Sequence, residues 1–190
     1  METKNIMIVG VGGQGSLLAS KLLGYLLLNE GYDVKVSEVH GMSQRGGSVV
    51  TYVRFGEKVY SPIIDKGEAD VIVSFELLEA ARYLEYLRPD GKIVTNTQQI
   101  DPMPVITGAM SYPEDLVKKM QKKGAQVDAM DCLSLANEAG SAKAVNLVLM
   151  GRLSKYFDIP VEKWQNAIEK CVPAKFLELN KKAFLLGREY

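Results

Sequence analysis

The sequence predicts a three-layer α/β fold: a mostly parallel sheet carrying one antiparallel hairpin, followed by a helical C-terminal extension. Three observations lead there. Residues 6–9 are an apolar run rich in isoleucine and valine that ends in glycine, as in a strand buried on both faces. Leucines at 17, 18, 22, 23, 26 and 27 give residues 16–30 helical spacing, with Gly31 as the stop. Residues 32–38 then alternate like a second strand, and a strand–helix–strand unit implies parallel strands.

The remaining elements follow in order. Residues 39–48 have no period and read as a loop. Residues 49–55 and 58–63 read as the two strands of the hairpin, turning at Gly56-Glu57. Residues 69–75 are a strand and 76–87 a helix with an apolar face of Leu77, Leu78, Ala81, Leu84 and Leu87. Pro89-Asp90-Gly91 is a turn, and 92–96 a further strand. Asp101-Pro102-Met103-Pro104 reads as irregular, because each proline removes a donor and restrains its predecessor. Pro113, with Glu114 and Asp115 in the first turn, starts a helix ending at Gly124. Residues 126–130 are a strand. Ser141 caps a helix over 142–156, Pro160 opens another through Cys171, and Pro173 precedes a last one ending near Gly187. With no linker or repeat in between, residues 1–190 read as one domain.

Composition narrows the function. The chain has 190 residues, 47% of them hydrophobic, and 23 basic side chains balance 23 acidic ones. A reader of nucleic acid or of an anionic membrane shows a basic excess, so neither partner is expected. One histidine and two distant cysteines, Cys132 and Cys171, are too few for an iron–sulfur or zinc site on this chain. The leucine-rich stretch 17–28 is interrupted by Ser20, Lys21 and Gly24 and is too short to span a bilayer. The N-terminus shows no export signal, so a cytoplasmic location is expected.

Two loops carry the candidate chemistry. Gly10-Val11-Gly12-Gly13-Gln14-Gly15 lies between a strand and a helix, where glycine at alternate positions allows a tight turn and close approach to a phosphate. The fold expected around it is Rossmann-like. The helix start offers N–H donors and a positive dipole end, and Glu38 ends the second strand where a ribose-binding acid belongs. The same spacing also serves a tight turn without any ligand. The second loop gathers His40, Ser43, Gln44, Arg45, Gly46 and Gly47. Arg45 offers a planar fork for phosphate or carboxylate, and the loop faces a ligand, a partner or only solvent. No nucleophile–base pair, Walker lysine or thiamin motif is present, so no catalytic residue and no metal ligand is expected. A self-contained NAD(P)-dependent oxidoreductase and a nucleotide-binding regulatory module both stay open at this level.

Taken together, residues 9–15 and residues 37–49 (Ser37-Glu38-Val39-His40-Gly41-Met42-Ser43-Gln44-Arg45-Gly46-Gly47-Ser48-Val49) closely resemble the gamma-type subunit of 2-oxoacid:ferredoxin oxidoreductases. Within that family the likeness is greatest to the beta subunit of indolepyruvate ferredoxin oxidoreductase. Asp101-Pro102-Met103-Pro104-Val105, Ala144-Val145-Asn146 and Val172-Pro173-x-Lys175-Phe176 add to it, and it spans the chain. The resemblance implies a subunit, inactive alone, that supports CoA-dependent oxidative decarboxylation of aryl pyruvates to aryl-acetyl-CoA, with electrons passed to ferredoxin. It places thiamin diphosphate and the iron–sulfur clusters in a large catalytic partner and leaves this chain a contact with coenzyme A.

Overall fold

The structure is a computed structural model and describes residues 2–39 and 46–190. Its six strands are β1 (Lys4–Val11), β2 (Asp33–Glu38), β3 (Ser48–Gly56), β4 (Ala69–Ser74), β5 (Leu87–Asn96) and β6 (Gln126–Met130). They form one sheet in the order β2-β3-β1-β4-β5-β6. The pairs β1–β4, β4–β5 and β5–β6 are parallel, and β3 runs antiparallel to both β1 and β2. Five strands therefore run one way and β3 alone runs against them.

The helices are α1 (Ser16–Asn29), α2 (Leu77–Arg82), α3 (Met103–Ile106), α4 (Leu116–Lys122), α5 (Cys132–Ala139), α6 (Val145–Ser154), α7 (Val161–Cys171) and α8 (Leu177–Glu189). Because side chains alternate along a strand, β1 feeds two cores. Ile6 and Ile8 enter one with α1 and α5 to α8, where Leu22, Leu23, Trp164 and Phe184 are fully buried. Met7 and Val9 enter the other beneath α2 and α4. The three layers follow from that double burial, which is why β1 reads as a continuous apolar run.

Several expectations are corrected. The hairpin is not 49–55 with 58–63: β3 takes β2 as its hairpin partner, and no strand forms between Gly56 and Ala69. Arg54 explains this. Its guanidinium donates to Ser61 O (3.0 Å) and Ile63 O (2.7 Å), while the Asp33 carboxylate accepts from Val59 N (2.9 Å). Pro62 has no N–H to offer a ladder. Thus β1 and β2 share a direction but are separated by β3. The turn at 89–91 is absorbed into β5 as a bulge: Ala69 pairs with Leu87 and Val71 with Lys92, with Asp90 at φ 64°. The helix expected over 76–87 stops at Arg82 and continues as a 3-10 turn, Leu84–Tyr86.

Met103–Ile106 is one helical turn rather than irregular chain, since a first turn tolerates proline. Pro113 precedes the helix instead of starting it; α4 begins after Asp115, which is left-handed at φ 55°. Helix α5 is absent from the sequence reading, and Asp131 caps it by accepting from Leu133 N (3.0 Å) and Ser134 N (3.1 Å). The C-terminal helices α5 to α8 pack with α1 into one layer on a single face of the sheet. Helices α6 and α8 cross so closely that a β-carbon on Gly151 would lie 2.0 Å from Phe184 O, and one on Gly187 1.9 Å from Val148 O.

Candidate functional site

The C-terminal ends of β1, β4 and β5 meet where the chain's crossovers diverge: β1 leads through α1 toward β2, and β4 leads toward β5 on the other side. In open α/β sheets this is where ligands bind. The glycine loop sits there. Gly15 is the N-cap of α1 at φ 92°, Gly13 is left-handed at φ 99° and exposed, and no side chain caps α1 among the described residues. The first-turn N–H groups of α1 therefore face a cleft of about 290 Å³ between Gly12, Gly13 and Leu17 on one side and Glu38, Val39 and Val50 on the other.

Of the residues singled out from sequence, the cleft brings together Gly12, Gly13, Gly15 and Glu38. Gly12 N donates to Gly47 O (2.8 Å), joining the two loops at their bases. Glu38 reaches the cleft wall and accepts from Ser20 Oγ (2.7 Å). Gly46 is left-handed at φ 89°. His40, Ser43, Gln44 and Arg45 lie outside the described residues. Gln14 turns away from the cleft: its Oε1 accepts from Val11 N (2.8 Å), and its Nε2 donates to Phe75 O (3.1 Å) and Gln98 Oε1 (3.2 Å). Gly10 has to be glycine for this, since a β-carbon there would stand 2.9 Å from Gln14 Oε1 and 3.0 Å from Phe75 Cβ.

Behind the loop lies a buried polar network that sequence reasoning missed. Asn96 donates to Phe75 O (3.2 Å) and accepts from Cys132 N (3.1 Å). Glu76, fully buried, accepts from Glu79 N (2.8 Å), Ile100 N (3.1 Å) and Tyr112 Oη (2.5 Å). Burial and the Glu76 carboxylate push the Tyr112 phenol up. Ser48, at the start of β3, donates to Glu79, which also pairs with Arg82. Its signal in the sequence is faint: polar residues at 74, 76, 95 and 96 interrupting otherwise apolar strand ends.

Burial raises the Glu79 carboxyl above the usual range, against the opposing pull of Ser48 and Arg82. A carboxyl raised in the folded state binds its proton more tightly there than in the unfolded chain. Its contribution to stability is therefore present at low pH and lost as pH rises from the ordinary carboxylate range through the raised value. Glu79→Gln keeps an acceptor for Ser48 and cannot ionise. Urea midpoints measured from about pH 4 to about pH 7 are expected to gain on wild type as pH rises. A constant difference across that range would refute the assignment.

A family model described as pyruvate ferredoxin/flavodoxin oxidoreductase matches residues 5–190. The chain belongs to this family. Among the proteins similar to this member of the pyruvate ferredoxin/flavodoxin oxidoreductase family is indolepyruvate oxidoreductase subunit IorB of Thermococcus kodakarensis. It is 47% identical over 98% of this chain and 95% of that one. The fold is shared with pyruvate oxidoreductase subunit PORC of Thermotoga maritima: TM-score 0.76, 22% identity, 100% of this chain and 97% of that one. It is also shared with 2-oxoglutarate:ferredoxin oxidoreductase of Magnetococcus marinus, a structure holding 2-oxoglutarate, coenzyme A and succinyl-CoA. There the TM-score is 0.73 at 20% identity, over 100% of this chain and 31% of that one.

For a member of an oxidoreductase family, the donor set here is sparse. Among the described residues no three His, Cys, Asp or Glu side chains converge on a point. Burial pushes both the Cys132 and the Cys171 thiol up. No described helix is long and apolar enough to cross a membrane.

Proposed function

We propose that this chain is the non-thiamin subunit of an indolepyruvate (aryl pyruvate):ferredoxin oxidoreductase, acting as one gamma-type domain in the cytoplasm. The observation that carries this reading is the 47% identity, over nearly the full length of both chains, to an indolepyruvate oxidoreductase subunit. The assembled enzyme decarboxylates an aryl pyruvate oxidatively, transfers the acyl group to coenzyme A and passes two electrons to ferredoxin. Thiamin diphosphate, held by a large partner subunit, supplies the decarboxylation chemistry, and that partner's iron–sulfur clusters carry the electrons.

This chain's own part is binding and positioning. The first-turn N–H groups of α1 and the open backbone at Gly12 and Gly13 suit a phosphate of coenzyme A. No basic side chain lines the described part of the cleft, so the backbone and helix dipole supply the attraction there. Glu38 stands across from them, where it orients a hydroxyl rather than a phosphate. His40, Ser43, Gln44, Arg45, Gly46 and Gly47 complete the ligand or partner contact, with the Arg45 fork as the cationic group. The paired loop bases at Gly12 and Gly47 support treating both loops as one surface.

Purified alone, the chain is expected to be colourless and to show no aryl-pyruvate-dependent dye reduction. Co-expressed with its large partner, it should yield a brown complex that reduces ferredoxin only when both aryl pyruvate and coenzyme A are present. A lone chain with its own visible chromophore and turnover would overturn the reading. Nicotinamide binding by the lone chain would favour an NAD(P)-dependent enzyme instead.

A further inference from the structure

The stretch Asp101-Pro102-Met103-Pro104-Val105 has no part in the cleft described above. It opens a lobe, residues 101–111, that stands out between β5 and α4. Met103, Ile106 and Met110 are each 65% exposed on it. Single exposed apolar residues need no reason, but three large ones so close in the chain form a patch of the kind that marks a contact with another protein. Methionine suits such a surface, because its unbranched thioether adapts to the shape it meets.

The lobe is held ready in that form. Both its ends are fastened to one buried carboxylate oxygen: Glu76 Oε1 accepts from Ile100 N (3.1 Å) at one end and from Tyr112 Oη (2.5 Å) at the other. Pro102 and Pro104 fix two backbone φ angles. Inside the lobe, Pro102 O accepts from Val105 N (2.8 Å) and Pro104 O from Met110 N (3.0 Å). A loop fastened in this way keeps its apolar side chains out in water instead of folding over them. It also has little freedom left to lose on binding.

The surroundings say what covers it. No basic residue occurs between Lys92 and Lys118. Asp101 and Glu114, one on each side of the lobe, are exposed and form no ion pair among the described residues, whereas Asp115 is taken by Lys118 (3.2 Å). The complementary surface is an apolar socket with a basic rim. A second copy of this chain does not offer one, since a two-fold contact through the lobe would set the acidic rim against itself. The lobe is also rooted at the glycine loop: Gln98, two residues before Ile100, accepts at Oε1 from Gln14 Nε2 (3.2 Å). A subunit lying against the cleft is therefore within reach of the lobe. We propose that this lobe is the knob by which the chain docks onto the large cofactor-bearing subunit, with Met103, Ile106 and Met110 seated in an apolar socket whose rim is basic. The inference rests on the reading that such a subunit is the chain's partner. It adds the surface that meets that subunit and the chemistry of the socket.

The test uses the complex of the full chain with its large partner, diluted and followed by mass photometry. Ile106→Asp should weaken assembly by about thirtyfold or more, the range of a central interface anchor, and Ile106→Ala by about tenfold. Tyr60→Asp, at an 89% exposed residue outside the lobe, should leave assembly unchanged. Both residues are mostly exposed in the lone chain, so its melting temperature should not move. Should Ile106→Asp melt lower, Met103→Ala and Met110→Ala carry the same test, each weakening assembly about threefold. Raising salt from about 0.05 M to about 0.5 M should slow association severalfold, and Asp101→Lys with Glu114→Lys should slow it at low salt. If the Ile106 and methionine variants assemble like wild type, the docking proposal is overturned while the subunit reading stands. A lone chain that dimerises, and that Ile106→Asp makes monomeric without harm to the complex, overturns it too. Association indifferent to salt and to the charge reversals overturns the basic rim. If the wild-type chain forms no complex with a large subunit, the subunit reading fails and the docking proposal with it.

Discussion

Gly187→Ala is expected to destabilise the chain by about 3–5 kcal/mol and lower its melting temperature by roughly 10 °C. Helix propensity alone predicts the opposite sign, since alanine is favoured over glycine in a helix by about 1 kcal/mol. The crossing of α6 and α8 decides the matter. A β-carbon on Gly187 would stand 1.9 Å from Val148 O, where real β-carbons come no closer than about 3.0 Å. The obstacle is backbone, so no rotamer change relieves it. The helices must part by about 1 Å, which loosens the close packing around Val148, Leu149 and Phe184, all fully buried. Gly151→Ala meets Phe184 O at 2.0 Å and should cost about as much. Thermal and urea denaturation of both variants measure this. A loss below about 1 kcal/mol would mean the two helices separate cheaply.

That crossing marks the boundary of what the sequence discloses. β1, α1, β4, β6, α7 and α8 are legible because their signals are local: an apolar run, a leucine period, a proline before a helix. Gly187 reads only as a helix end, because its reason is a carbonyl on another helix. The segment 58–63 reads as a strand for the same reason. Its residues have strand propensity, but its carbonyls are claimed by Arg54 from β3. Helix α5 escapes notice because it is eight residues long and its capping Asp131 follows directly on β6.

The candidate site divides along the same line. Gly12, Gly13 and Gly15 are legible because a strand–glycine–helix junction has few uses. Gln14 reads as a ligand-facing residue, yet its side chain bonds to Phe75 and to Gln98, 61 and 84 positions away. Long-range polar pairing has no periodicity, so neither Gln14's role nor that of Glu76 or Asn96 is visible in one sequence.

Glu76→Ala is expected to be the most costly polar substitution near the site, at about 3–5 kcal/mol. Its carboxylate satisfies three donors from three parts of the chain: Glu79 N in α2, Ile100 N beyond β5 and Tyr112 Oη before α4. Alanine leaves all three unpaired in a dry setting, at about 1–3 kcal/mol each before relaxation. Glu76→Gln should cost less. Its one oxygen can still serve Ile100 and Tyr112, which share Oε1, while its NH2 turns a donor toward Glu79 N and removes the cap of α2. Tyr112→Phe, which deletes one bond and leaves the carboxylate two, should cost about 1 kcal/mol. The order Ala, then Gln, then Tyr112→Phe is the signature of a shared acceptor; three independent bonds would instead give costs unrelated to how many donors are stranded. The consequence reaches the glycine loop. Ile100 follows Gln98 by two residues, and Gln98 Oε1 accepts from Gln14 Nε2, whose own oxygen fixes Val11 N. Amide exchange should therefore quicken at Ile100 in Glu76→Ala and, to a smaller degree, at Val11. If Ile100 exchanges faster while Val11 is unchanged, Glu76 holds its own loop and the phosphate cradle keeps its shape without it.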